Sequence, residues 1–180
     1  MTIHVALLRG INVSGHNIIK MAELRKALEA MGLQRVQTYI QSGNIVFEAA
    51  AGPQELEEQI RERIQADFGL KISVMVRTAE EFAAIMAHCP YAFEALKEGE
   101  SIHVSMLSEL PSQAQLERLP AWESAVDEYT IVGREVYQLY RQRTLDSKLG
   151  AHVAKIPLPA TARNWKTMLK LEAMIRAMQE

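Results

Sequence analysis

Two apolar periods alternate through residues 1–77, and their order leaves few ways to fold. Ile3, Val5 and Leu7 recur at every second position, as in a strand. Met21, Leu24, Leu28 and Met31 recur at helical spacing, with Gly32 as a natural stop. Val36, Thr38 and Ile40 return to alternation, Ser42-Gly43-Asn44 has turn chemistry, and Ile45-Val46-Phe47 resumes an apolar strand. Pro53 sits at or near the first position of a second helix, striped by Leu56, Ile60 and Ile64 and ended by Gly69. Ile72, Val74 and Val76 form a last strand.

The order is strand, helix, strand, strand, helix, strand, which is the ferredoxin-like split βαβ plan. Right-handed crossovers put the third strand between the first and second, antiparallel to both. The end of the first strand and the start of the third then share one edge of the sheet. The loop from Arg9 to Lys20 and the tip Gln41-Ser42-Gly43-Asn44 are therefore expected side by side.

Thr78-Ala79-Glu80-Glu81 is a capping box that starts a helix over 79–89, ended by Cys89-Pro90. Ile102, Val104 and Met106 alternate as a strand, and Pro111 begins a short helix. Tyr129–Val132 and Glu135–Tyr140 form a hairpin about Gly133-Arg134. Leu145, Leu149 and Val153 suggest a helix, and Thr161 is placed to cap a final one bearing Trp165, Met168, Leu169 and Ile175. From residue 101 the first plan thus recurs in element order alone, with a helix where a fourth strand belongs. The expectation is an α+β chain of two ferredoxin-like (βαββαβ) subdomains, 1–77 and 101–180. The second is degenerate and carries a C-terminal helix, and residues 78–100 form the connector.

A chain of 180 residues buries enough surface to hold its own core. The single cysteine excludes an intramolecular disulfide and fits a reducing compartment. No run approaches 18 apolar residues, so no membrane span is expected, and the first residues lack the basic and apolar regions of a secretion signal. Charge is uneven: residues 1–133 hold 11 Lys/Arg against 18 Asp/Glu, and residues 134–180 hold 9 against 4. A basic end of this kind faces either solvent and acidic neighbours or a phosphate-bearing partner.

The chemistry concentrates in Arg9-Gly10-Ile11-Asn12-Val13-Ser14-Gly15-His16-Asn17-Ile18-Ile19-Lys20. Its glycines have the spacing of a phosphate loop, G-x-x-x-x-G-K-[ST], but His16 and Asn17 replace the lysine and the hydroxyl. That removes the NTPase reading. A glycine-bearing turn beside a helix start still attracts anions, with Arg9 as a fork and Lys20 as a point charge. The candidate ligand-binding set is Arg9, Asn12, Asn17, Lys20, Gln41, Ser42 and Asn44, with Arg163 and Asn164 closing over it. Against it stands the plainer reading that the glycines serve turns and Asn12 and Asn17 cap the loop internally. Arg163 and Asn164 are expected in the first turn of the last helix, where a cation opposes the macrodipole and hints at a bound anion.

Other chemistry is thin. His88-Cys89 are adjacent and poorly disposed as a dyad, and the five histidines lack metal-ligand spacing. His16 alone lies in the corner as a candidate acid or base. No metal and no cofactor are expected. The third strand lacks the basic and aromatic positions of an RNA-recognition motif. Tyr137, Tyr140, Arg141 and Arg143 form the aromatic-basic mix that a nucleic-acid-binding alternative would use. A further alternative is a homodimeric interaction protein built on an exposed sheet edge or the Met-rich last helix.

Leu7–Val13, Met21–Leu28, Thr38–Phe47 and Thr161–Thr167, joined by Gly133-Arg134 and Ser147-Lys148, resemble the domain-of-unknown-function 1697 family. The likeness extends over nearly the whole chain. It implies a cytosolic, mostly bacterial protein with two ferredoxin-like halves, and brings no established activity.

Overall fold

The computed structural model describes residues 1–180. The protein is α+β, with two four-stranded antiparallel sheets. Two compact units divide the chain: Met1–Ala84 together with Leu169–Glu180, and Ile85–Met168.

The first unit runs β1 (Thr2–Leu8), α1 (Met21–Ala30), β2 (Gln34–Tyr39), β3 (Asn44–Ala49), α2 (Pro53–Phe68) and β4 (Val74–Thr78). Its sheet has the order β2-β3-β1-β4. The third strand lies between the first two, as the crossover rule requires, with Leu7 opposite Asn44. One sheet face presents Ala6, Leu8, Ile45, Phe47, Val74 and Val76 to Leu24 and Leu28 of α1 and Leu56, Ile60 and Ile64 of α2. Each fully buried Leu, Ile or Phe there contributes about 1.5–3 kcal/mol. Pro53 opens α2 and Gly69, at φ +68°, ends it. Arg35 interrupts the pairing of β2 with β3, in a left-handed conformation of its own. Its guanidinium reaches Glu48 and the Met178 carbonyl.

Helix α3 (Ala79–Ala87) follows β4 directly. Thr78 and Glu81 exchange the two bonds of the capping box, each accepting from the other's backbone amide.

The second unit holds β5 (Ser101–Leu107), α4 (Gln113–Glu117), β6 (Glu128–Val132), β7 (Glu135–Tyr140), α5 (Leu149–Val153) and β8 (Ala160–Asn164). Its sheet order, β6-β7-β5-β8, repeats the first. The expected missing fourth strand is therefore present: residues 160–164 pair antiparallel with β5, Ala160 opposite Leu107 and Asn164 opposite His103. The last helix, α6 (Trp165–Gln179), starts later than Thr161, which lies buried in β8. Its cap is Asn164, whose Oδ1 accepts from the Thr167 amide. Leu145 also falls outside its expected helix: it is 89% exposed in a 3-10 turn, and α5 begins only at Leu149.

The registers expose an internal likeness that element order alone did not carry. Val5 lies opposite Val46 and Arg77, and Val104 opposite Tyr137 and Arg163. In that register Ile3-His4-Val5 and Leu8 coincide with Ile102-His103-Val104 and Leu107, and the buried Arg77 coincides with the buried Arg163. The capping residues Thr78 and Asn164 follow at equivalent places. The second unit has shorter helices: α4 and α5 have 5 residues each, against 10 and 16 in α1 and α2. No helix is long and apolar enough to cross a membrane.

Candidate functional site

The 9–20 loop and the 40–43 turn meet, because β1 ends where β3 begins. The Leu8 amide donates to the Gly43 carbonyl at 2.9 Å and the Arg9 amide to the Ser73 carbonyl at 3.0 Å. Asn12 is the fastener between the two segments. Its Nδ2 donates to the Ile19 carbonyl (3.0 Å) and the Gln41 carbonyl (2.7 Å), and its Oδ1 accepts from the Ile19 amide (2.9 Å). The Asn12 amide also bonds the Asn17 carbonyl, and Asn17 Nδ2 donates back to the Gly10 carbonyl. Val13 and His16 close a tight turn between them. Asn12, Ser14 and Asn17 all adopt φ near +50°, which asparagine tolerates better than other residues with side chains.

Asn44 works the same way on the other segment. It is fully buried, and its Nδ2 donates to the Tyr39 carbonyl (3.0 Å) and Ser42 Oγ (2.8 Å). The three candidate asparagines of this corner thus spend their side-chain donors on the protein's own backbone and turn. Arg9, His16, Lys20 and Gln41 are exposed. Neither Arg9 nor Lys20 takes part in an ion pair or side-chain hydrogen bond.

Arg163 and Asn164 lie in the second unit on β8, and not in the first turn of α6 as their sequence suggests. Arg163 is buried and donates to Thr161 Oγ1 and the Ala162 carbonyl, each at 2.8 Å. Burial lowers its pKa to about 10. With Arg163 on a strand, the argument from an unfavourable helix dipole disappears.

The residues of the nucleic-acid alternative are occupied. Arg141 pairs with Glu128 at 2.9 Å and Arg143 with Asp146 at 2.8 Å. Tyr137 and Tyr140 are buried, with hydroxyls donating to the Ile85 carbonyl and Gln138 Oε1, so neither ring face is open for stacking. Burial, then the Asp127 charge, pushes the Tyr140 hydroxyl up to about 12. Met168 and Met178 of the last helix are likewise buried.

Sequence reasoning missed a polar centre at Asp127, which is 2% exposed. Its carboxylate accepts from the Arg141 amide, Gln142 Nε2 and Ser147 Oγ at 2.8, 2.7 and 2.5 Å. Burial pushes its pKa up, and these bonds together outweigh it and hold the group below its ordinary value. Beside it His152 is enclosed by Trp122 and Tyr129, with Nε2 and the Tyr129 hydroxyl 3.2 Å apart. No alternation or spacing marks this cluster, because Trp122, Asp127, Arg141, Gln142 and Ser147 all lie outside strands and helices. Cys89 is partly buried and its thiol is pushed up by burial, so it lacks the depressed pKa of a reactive cysteine. No group of three or more His, Cys, Asp or Glu residues is placed to hold a metal ion.

The profile of a family described as a protein of unknown function, DUF1697, matches residues 1–137. A solved structure of a conserved bacterial protein from Streptococcus pneumoniae is 25% identical, with TM-score 0.79 over 97% of this chain and 98% of that one. That likeness spans both units, including the region after residue 137. No curated protein matches the chain. With the family's profile covering three quarters of its length, the chain belongs to the DUF1697 family of proteins of unknown function.

Proposed function

We propose that the corner made by the 9–20 loop and the 40–43 turn binds a small anionic ligand, phosphorylated or carboxylated, with nucleotides among the candidates. One observation carries this reading. The asparagines build the corner and leave Arg9 and Lys20 exposed and without ion pairs, beside the exposed Gln41. Arg9 supplies a fork suited to carboxylate or phosphate and Lys20 a mobile charge. Gln41 and Ser42 supply neutral polar contacts, while Asn12, Asn17 and Asn44 keep the shape. Arg163 and Asn164 are left out. We also infer that both units are ferredoxin-like, drawn at 1–77 and 101–180 with 78–100 between them; the repeated strand order supports this.

The test is thermal melting with a panel of inorganic phosphate, mono- and triphosphate nucleotides and dicarboxylates. A ligand at a hundredfold excess over its Kd stabilises by about 2.7 kcal/mol, or roughly 5–10 °C for a chain of this size. The rise should vanish in Arg9→Ala. A panel that leaves the midpoint unmoved removes the reading.

A further inference from the structure

Val13, Ile18 and Ile40 are 54%, 67% and 52% exposed, and all three stand on the same corner. Single exposed aliphatics are ordinary on a protein surface; three on two converging segments are a patch. One Asn12 amide touches the Ile19 and Gln41 carbonyls, so the backbones carrying Ile18 and Ile40 are neighbours. Ile40 is also the one β-branched residue in a left-handed conformation, at φ +48°. Asn or Gly would hold that turn with less strain, and more than half of the isoleucine stays exposed there.

The two segments themselves carry charge of one sign. Residues 9–22 contain Arg9, His16 and Lys20 and no carboxylate, and residues 36–47 contain no charged residue. We propose that this corner is a docking surface for an acidic, aliphatic segment of a partner protein. Its carboxylates would meet Arg9 and Lys20, and its Leu, Ile or Val side chains would cover Val13, Ile18 and Ile40. The proposal rests on the anion-binding reading above and adds that the anion arrives on an apolar polypeptide. A small anion held by Arg9 and Lys20 leaves Val13, Ile18 and Ile40 in water, since side chains this exposed enclose nothing. They do fit the apolar centre of a protein interface ringed by polar groups. Two unpaired cations fall short of the polybasic cluster that holds a protein to anionic lipid. Aliphatic side chains also lack the ring faces on which nucleic-acid bases stack. The internal bonds of the corner fix it before binding, which spares the partner an ordering cost.

The experiment uses the full chain and two labelled peptides of equal length and charge, one of mixed Glu and Leu, the other of mixed Glu and Gly. Fluorescence anisotropy should show the Leu peptide binding about tenfold more tightly or better. That preference should collapse in the double variant Ile18→Ser/Ile40→Ser, checked for folding by its melt. Arg9→Ala should weaken both peptides alike. Equal binding of the two peptides overturns the partner proposal and leaves the anion reading standing. A preference that survives the double variant, or no binding of either peptide, also overturns it, and the small-anion panel then decides the anion reading separately. Binding to phosphatidylglycerol vesicles in place of the Leu peptide, or a dimer in sedimentation that the double variant abolishes, overturns it in favour of a lipid surface or a second copy.

Discussion

Gly43 has no room for a side chain. A Cβ there would stand 2.6 Å from Leu8 Cβ and 2.9 Å from Ile11 Cδ1, at a φ of +82°. Both obstacles are buried side chains of the first unit's core. Gly43→Ala is expected to cost about 3 kcal/mol of unfolding free energy, from steric displacement and strained backbone together, read by urea titration. Ile40→Asn should act in the opposite direction, raising stability by about 0.5–1 kcal/mol through relief of the left-handed β-branched residue. A loss of stability in that variant would mean Ile40 is anchored by contacts its 52% exposure does not suggest. Much at these positions was readable in advance. Gly43 stood in turn chemistry, and the internal-cap reading of Asn12 and Asn17 matches their bonds. Alternation with Val36 and Thr38 assigns Ile40 to its strand, but the chain leaves β2 at Tyr39 and turns left-handed at Ile40.

Strand β8 shows where periodicity runs out. Its five residues, Ala160–Asn164, contain no large apolar side chain, and their burial comes from pairing with β5, more than fifty residues earlier. Two capping residues precede the apolar run of α6, and local sequence offers no way to choose between Thr161 and Asn164. Pairing chooses, because it draws Thr161 into the sheet. Asn164→Ala should therefore cost about 1 kcal/mol through loss of the α6 cap. The helix expected from Leu145, Leu149 and Val153 failed for a similar reason. Ser147 is held by Asp127 and accepts from the Leu149 amide, so α5 begins at Leu149 and Leu145 is left outside. By contrast the long helices α1 and α2 and the first sheet followed their apolar spacing closely, since each buries a full stripe.

Three histidines, His4, His103 and His152, are each held below their ordinary pKa, burial being the main cause in every case. All three therefore act in one direction. A depressed folded-state pKa gives stability that is complete above the unfolded value, near 6.5, and is lost as pH falls through the folded one. Asp127, also held low, extends the loss below about pH 4 by the same sign rule. The urea midpoint should be flat from pH 8 to 7 and fall steadily below 6.5, with a shallower fall in His103→Gln. A midpoint that rises on acidification would contradict the buried, neutral imidazoles.

The first unit, Met1–Ala84, is completed only by Leu169–Glu180, while Ile85–Met168 forms the second. Arg35 on β2 accordingly finds its carbonyl partner at Met178, among the last residues of the chain. On a ribosome, that makes the half synthesised first the half finished last. Its sheet emerges early but must wait through the translation of the whole second unit for Leu169–Glu180. Emergence of Leu169–Glu180, rather than of the segment before it, becomes the event that completes the first unit. Loss of Leu169–Glu180 would injure residues 1–84, far from it in sequence.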